Sequence, residues 1–257
     1  MIEFTAGEMK KIAPLFFGVE ETMIWSCLQG VMGKAWANRK DDPTAARIIN
    51  GDFVFFGGQC DDDTAEELIQ NLPVFTRSFC LMIPPNEDWA AMIEALYQEK
   101  AQRLTRYAFY KDTEFDPNYL RQLRGALPNG YTIVPIDAHL YEIALSENWS
   151  HDFCSQFSNA QDYLSRGMGS AVLYNGKMIG GASSYIVYND GIEIEIGIRE
   201  EHRKKGLAAA CASDLILRCL EKGLYPSWDA SNLISVALAK KLGYRYKGEY
   251  SAYFIKL

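Results

Sequence analysis

The stretch "GIEIEIGIREEHRKKGLAAACASDLILRCLEKG", Gly191 to Gly223, opens as a strand and closes as a helix. Successive side chains of a strand point to opposite faces, so Ile192, Ile194, Ile196 and Ile198 share one face and Glu193, Glu195 and Gly197 the other. The two carboxylates then stand about 6.5–7 Å apart. If that face is enclosed, burial and mutual repulsion raise a carboxylate pKa, and one glutamate suits a general base near neutral pH. If it is open, the pair is an ordinary solvated sheet surface. The turn Arg203-Lys204-Lys205-Gly206-Leu207-Ala208 carries the same ambiguity. A glycine before small residues leaves the first helical N–H groups open to an anion, and the helix dipole adds to them. A basic turn of this kind is also a common solvated loop.

The neighbouring sequence is regular. Before Gly191, "GSAVLYNGKMIGGASSYIVYND" holds two strands whose turns, Tyr174–Lys177 and Asn189–Gly191, carry hairpin chemistry. A three-strand antiparallel meander therefore feeds the helix, which ends at Gly223. A short strand "YPSWDAS" follows, then a helix from about Asn232 to Leu242 closed by Gly243. The last segment, "YRYKGEYSAYFIKL", suggests a terminal hairpin. Toward the N-terminus, Glu8–Leu28 has helical spacing, Gly30–Asn38 has strand composition, and Asn50-Gly51 marks a hairpin. A helix after Asp61, a strand "SFCLMIPP", a helix "EDWAAMIEALYQEK" and a strand-like stretch from Thr105 complete that half. No linker interrupts the chain, and the least committed boundary lies near Asp116–Gly130. We expect an N-terminal α/β domain over 1–125 and a second domain over 126–257.

Of 257 residues 48% are hydrophobic, enough for a full core; the net charge of −7 argues against a nucleic-acid binder. Six cysteines without a C-x-x-C pair suggest reduced thiols, and three histidines without ligand spacing argue against a metal site. No signal-peptide pattern or apolar run of membrane-spanning length occurs, so a cytoplasmic protein without membrane contact is expected.

"IGIREEHRKKGLA" resembles the acyl-CoA-binding motif of the GNAT N-acetyltransferase superfamily, a strand ending V-x-P-x-x-(Q/R)-x-x-G-x-(G/A) before a helix. Ile198 takes the Val place and Arg203 the (Q/R) place. Gly206 and Ala208 take the small-residue places, and Glu200 stands where proline is usual. "NLISVALAKKLGY", Asn232 to Tyr244, is similar to the second GNAT signature, N-x-x-(A/S)-x-x-L-(Y/A)-x-K-x-G-(F/Y). The resemblance covers about Gly130 to Leu257. With the long preceding half, the chain looks like a GNAT family carrying an extra N-terminal domain.

The resemblance implies a mixed, mostly antiparallel α/β (α+β) sheet with a splayed central strand pair flanked by helices. It implies acetyl-CoA as cosubstrate, no metal, and an amine of a small molecule or peptide as acceptor. The strands would splay at a bulge near Gly197–Arg199. Backbone groups of Ile196, Gly197 and Ile198 would pair with the pantetheine amides, and the pyrophosphate would sit on the turn from Arg203 through Lys204, Lys205, Gly206 and Leu207 to Ala208. Asn232 would bond the pantetheine arm, with Ser235 near it. Glu193 or Glu195 would be the base. The family's usual tyrosine acid falls at Ala239, so Tyr244 or Tyr250 would replace it, or the thiolate would leave unassisted. The N-terminal half has no such turn, since "GGQCDDDTAEE" is acidic. It reads as a degenerate GNAT-like half or an unrelated α/β cap. A non-catalytic GNAT-fold protein that binds CoA or another small ligand for regulation is the competing reading. Oligomeric state is not legible, and a homodimer fits as well as a monomer.

Overall fold

The structure, a computed structural model, describes residues 1–73 and 78–257. In chain order the first part holds β1 (Ile2–Phe4), α1 (Thr22–Leu28), β2 (Lys34–Ala37), β3 (Ala45–Asn50), β4 (Phe53–Gly58), α2 (Asp62–Gln70), β5 (Phe79–Ile83), α3 (Glu87–Tyr97) and β6 (Ala101–Phe109). The rest holds α4 (Pro117–Gly125), β7 (Tyr131–Pro135), α5 (Ala138–Ser146), α6 (Ala160–Arg166), β8 (Gly169–Tyr174), β9 (Lys177–Tyr188), β10 (Gly191–Ile198), α7 (Leu207–Glu221), β11 (Tyr225–Ser227), β12 (Asp229–Ala230), α8 (Leu233–Leu242) and β13 (Tyr246–Lys256). Two compact units result. One is Met1–Arg106 with Glu249–Leu257, the other Tyr107–Gly248. Helix α4, counted with the N-terminal domain in the sequence reading, thus lies in the second unit, where it packs on α7.

In the first unit the strand order is β1-β2-β3-β4-β5-β13-β6. Strands β2, β3 and β4 form an antiparallel meander, and β4 then pairs parallel with β5 across α2. The Asn50-Gly51 signal is a tight turn, with Asn50 opposite Phe53. Phe56 and Trp89 stack at 4.8 Å in a core that includes Trp36, Val54, Leu68, Ile93 and Tyr253. Burial of each such side chain contributes roughly 1.5–3 kcal/mol. Arg47 is fully buried there and donates to Leu68 O at 2.6 Å and Asn71 O at 3.0 Å. Its charge meets the negative end of the α2 dipole.

In this unit one expectation is met in part and one fails. Of the one or two amphipathic helices expected over Glu8–Leu28, one α-helix forms, α1, preceded by 3-10 turns at Ala6–Lys11 and Ala13–Phe16. Pro14 lacks an N–H and Gly18 turns the chain at φ +83°, so no continuous helix forms. The C-terminal segment is one eleven-residue strand, not a hairpin. Gly248 does not adopt the left-handed conformation a tight turn would use, and Tyr253–Lys256 pair antiparallel with Phe79–Met82 of β5.

The second unit has the strand order β11-β10-β9-β8-β7. Strands β7 to β10 are antiparallel, and β10 and β11 run parallel on either side of α7. Asn175 and Gly176 both take positive φ (50° and 76°), the turn that matches strand twist between β8 and β9. Helix α7 covers one sheet face, with Cys211 Sγ on Ser170 O and Arg218 Nη1 on Gly169 O at 2.6 Å. The opposite face meets Phe153 and Tyr163 from the α5–α6 region. A Cβ on Gly181 would fall 2.7 Å from the Phe153 ring, so that layer lies directly on the backbone. The order meander, helix, parallel strand occurs in both units.

Candidate acyl-CoA site

Strand β10 carries the site because its partner leaves it partway. Gly191, Ile192 and Glu193 pair with Tyr225, Pro226 and Ser227, and no rung of that ladder follows. After Ser227 the chain turns to pair Asp229 and Ala230 of β12 with Ala108 and Tyr107 of β6. The two strands therefore fork at Glu193 and Ser227. A register shift against β9 lies between Glu193 and Ile194, where Ile186 and then Ser184 are the partners. This corrects the expected bulge near Gly197–Arg199. That stretch is regular, and the irregularity falls about two pleat repeats nearer the strand start. Bulges end pairing and re-aim side chains, as happens here.

Beyond the fork, Ile194 to Ile198 keep β9 on one edge and have no β-ladder on the other among the described residues. Glu195 and Gly197 lie opposite Ser183 and Gly181, on the Phe153 side of the sheet. A Cβ on Gly197 would stand 3.3 Å from the Phe153 ring and 3.5 Å from Trp149 O. Arg199 ends the strand. It pairs with Glu147 and lies 5.1 Å over the Trp149 ring, whose Nε1 donates to the same carboxylate at 2.8 Å.

The two glutamates part company. Glu193 is buried, 4% exposed, with Oε2 4.0 Å from Lys111 Nζ; Glu195 is half-buried. Lys111, itself nearly buried, donates to Ser227 Oγ at 2.7 Å and Trp228 O at 3.3 Å. It spans the root of the fork. Sequence reading missed Lys111, because nothing in "YKD" after a strand distinguishes it from a solvated lysine. It also missed Trp228, which is buried and donates Nε1 to Ser235 Oγ at 3.1 Å.

The basic turn folds back onto the strand end. Arg203 Nε donates to Ile198 O at 3.0 Å and draws the turn onto the strand end. Lys204 (φ +62°) and Gly206 (φ +79°) are both left-handed, which tips successive N–H groups toward one side. α3, α4, α5, α6 and α8 have side-chain caps from Asn86, Asp116, Asp137, Asn159 and Asn232. Gly206 offers α7 none, and a Cβ there would meet nothing within 4 Å. Leu207 is buried beneath and Ala208 half-buried. Lys205 Nζ donates to Tyr131 OH at 3.1 Å, and that hydroxyl also meets His202 Nδ1 at 2.9 Å.

The remaining predicted residues are elsewhere occupied. Asn232 caps α8 through Ser235 N at 2.9 Å and donates Nδ2 to Ser231 Oγ. Tyr244 is buried and donates its hydroxyl to Pro226 O at 2.6 Å; burial holds its pKa well above the usual phenol range. Burial likewise raises Tyr188 and Tyr225, whose hydroxyls go to Tyr225 O and Tyr110 O. Tyr250 belongs to the first unit, where it accepts from Arg106 Nε. Ala239 is fully buried.

The profile of the GNAT acetyltransferase family matches residues 13–253, nearly the whole chain. The chain belongs to the GNAT acetyltransferase family. It is similar to the "uncharacterized N-acetyltransferase YdfB" of Bacillus subtilis (strain 168), with 25% identity, 91% of this chain and 90% of the relative covered. Among solved structures it resembles a GCN5-related N-acetyltransferase-like protein from Streptococcus suis 89/1591, 40% identical, TM-score 0.90, covering 97% of this chain and 99% of that one. A tandem GNAT protein from the clavulanic acid biosynthesis pathway shares the fold at 12% identity, TM-score 0.56, over 99% and 97% of the two chains. This GNAT protein is thus an N-acetyltransferase whose first unit repeats the GNAT order of elements. No helix among the described residues is long and apolar enough to cross a membrane, and no cluster of His, Cys, Asp or Glu there suits a metal.

Proposed function

We propose that this N-acetyltransferase moves the acetyl group of acetyl-CoA to a primary amine of a small molecule, by direct attack in a ternary complex. The fork carries this reading: β10 loses its partner after Glu193 and runs, with one edge open, to an uncapped helix start. An extended, amide-bearing arm fits beside such an edge, and a pyrophosphate fits the N–H groups of Lys204 to Ala208. Ile196 and Ile198 supply backbone groups along the arm. Asn232 keeps a second Nδ2 hydrogen for it, and Ser235, held by Trp228, lies one turn on. The residues fit CoA, which brings an activated thioester to the fork.

Glu195 is the base of this proposal. Glu193 is buried against the Lys111 ammonium, which keeps its carboxylate away from an incoming acceptor. Glu195 stands one residue pair beyond the last rung, on the face walled by Phe153 and Trp149. Its carboxylate takes the proton of the attacking amine, and the acidic net charge of the chain suits a cationic acceptor. Tyr244 has no part, since its hydroxyl is committed to Pro226 O. The protein needs no metal in this chemistry and is expected to act in the cytoplasm.

Thiol release from acetyl-CoA with a panel of amines tests the reading. Glu195→Gln should lower kcat about 100-fold with little change in acetyl-CoA affinity. Wild-type rates in that variant would remove Glu195 as the base. No stabilisation of the wild-type fold by acetyl-CoA would remove the CoA site itself.

A further inference from the structure

Resting on the acetyl-CoA reading, we propose that the Lys111 ammonium at the root of the fork is the cation against which the CoA thiolate departs. Its Nζ reaches across the last rung, to Ser227 Oγ and Trp228 O on one strand and 4.0 Å from Glu193 Oε2 on the other. A pyrophosphate on the α7 turn sends the pantetheine arm back along β10, past Ile198 and Ile196. Two further residues of strand, about 7 Å, bring its sulfur end to the level of Ile194, beside that rung. Lys111 thus occupies the place from which charge on the sulfur is met, where neither Ala239 nor Tyr244 supplies a proton.

In the step itself the amine nitrogen bonds the acetyl carbon, the carbon–sulfur bond breaks, and its electron pair goes to sulfur. The amine proton goes to Glu195. The Lys111 ammonium, held beside the Glu193 carboxylate, meets the new charge on sulfur as an ion pair. The low exposure of the site strengthens that attraction. Glu193 balances the ammonium while the site is empty, which a buried cation requires. Ser227 Oγ and Trp228 O accept from its Nζ and fix its aim.

The test compares binding of CoA with that of CoA carrying hydrogen in place of the thiol, between pH 6 and 9.5. The phosphates titrate alike in both, so their ratio reads the bound thiol alone. In the wild type CoA should begin to gain on the analogue at least one pH unit below 8.5, an advantage of about tenfold or more. The double variant Lys111→Met/Glu193→Gln, which leaves no lone buried charge, should lose that gain while still binding the analogue; Lys111→Arg should keep it. A ratio that stays flat up to pH 9.5 in the wild type overturns the proposal, whether or not the variants fold. So does a gain that persists in the folded double variant. If neither ligand binds the wild type, the acetyl-CoA reading falls first, and this inference with it.

Discussion

Gly206→Asp separates folding from anion binding, because it acts on them in opposite directions. Gly206 sits at φ +79° just before α7, and an added Cβ meets no protein atom within 4 Å. A side chain there has no packing penalty. Left-handed backbone costs a non-glycine residue about 1–2 kcal/mol, less for aspartate. An acidic group at a helix start returns about 0.3–1 kcal/mol. The two nearly cancel, so the unliganded protein should melt within about 2–4 °C of the wild type. Ligand binding has no such compensation. The new carboxylate points where the pyrophosphate should lie. Two unit charges at about 4 Å repel by about 1 kcal/mol in water and about 4 kcal/mol near a protein surface. Taking about 2 kcal/mol, acetyl-CoA should bind roughly 30-fold more weakly.

Calorimetric titration with acetyl-CoA measures the affinity, and a melting scan without ligand measures the fold. The loss should shrink in high salt, since the repulsion is solvent-screened. Gly206→Ala adds the strain without the charge and should weaken binding only several-fold. Unchanged acetyl-CoA affinity in Gly206→Asp, with the fold intact, would refute the cradle. A large loss of stability without ligand would refute the cancellation.

Tyr244→Phe should keep kcat within about twofold and lower stability by about 1 kcal/mol, because its hydroxyl serves Pro226 O; steady-state rates and a denaturant melt check both halves. Tyr131→Phe removes the acceptor of Lys205 Nζ and should raise the KM for acetyl-CoA about threefold with kcat unchanged. Alkaline pH should unfold the protein early. Burial pushes the Cys27, Cys80, Cys154 and Cys219 thiols up to about 12 and raises Cys211 as well. Folded pKa values above the unfolded ones mean full stability below about pH 8.5 and loss as pH climbs. At pH 10 each thiol withdraws about 1.4–2 kcal/mol, so five approach the whole stability of a typical domain; a melting temperature flat from pH 7 to 10.5 would refute this.

Local chemistry carried the sequence reading a long way in the second unit. Asn175-Gly176, Gly206, Gly223 and Asn232 mark turns and caps where they stand, since each acts through its own backbone. The alternation of Ile192 to Ile198 likewise set the faces of β10. At the fork and in the C-terminal segment the failures are non-local. The shift at Glu193/Ile194 depends on how β9 is spaced, which no period in β10 records. The segment "YRYKGEYSAYFIKL" reads as a hairpin in sequence, whereas pairing with β5 makes it one strand. Lys111 stands 116 residues from Ser227, so only the folded chain makes it part of the fork.

The first unit shows that the order of elements alone does not leave a strand edge open. It has the same meander, helix and parallel strand, and its parallel ladder is equally short, Phe53 to Phe55 against Leu81 to Ile83. Strand β4 runs on past that ladder to Gly58, as β10 runs on past Glu193. Yet a Cβ on Gly57 would fall 2.7 Å from Leu15 O and 2.9 Å from the Phe16 ring, and Trp89 Nε1 donates to Gly58 O. Protein packs on a face of that extension, as Phe153 does at Gly197, and Trp89 also takes up the Gly58 carbonyl, whereas β10 keeps its edge. The turn that follows is acidic, Asp61 to Asp63, where the second unit has Arg203 to Lys205. An anionic arm would meet like charge at one end and packed side chains along its length. The two units share a topology, and what separates them is a few side chains at one strand edge and the sign of one turn.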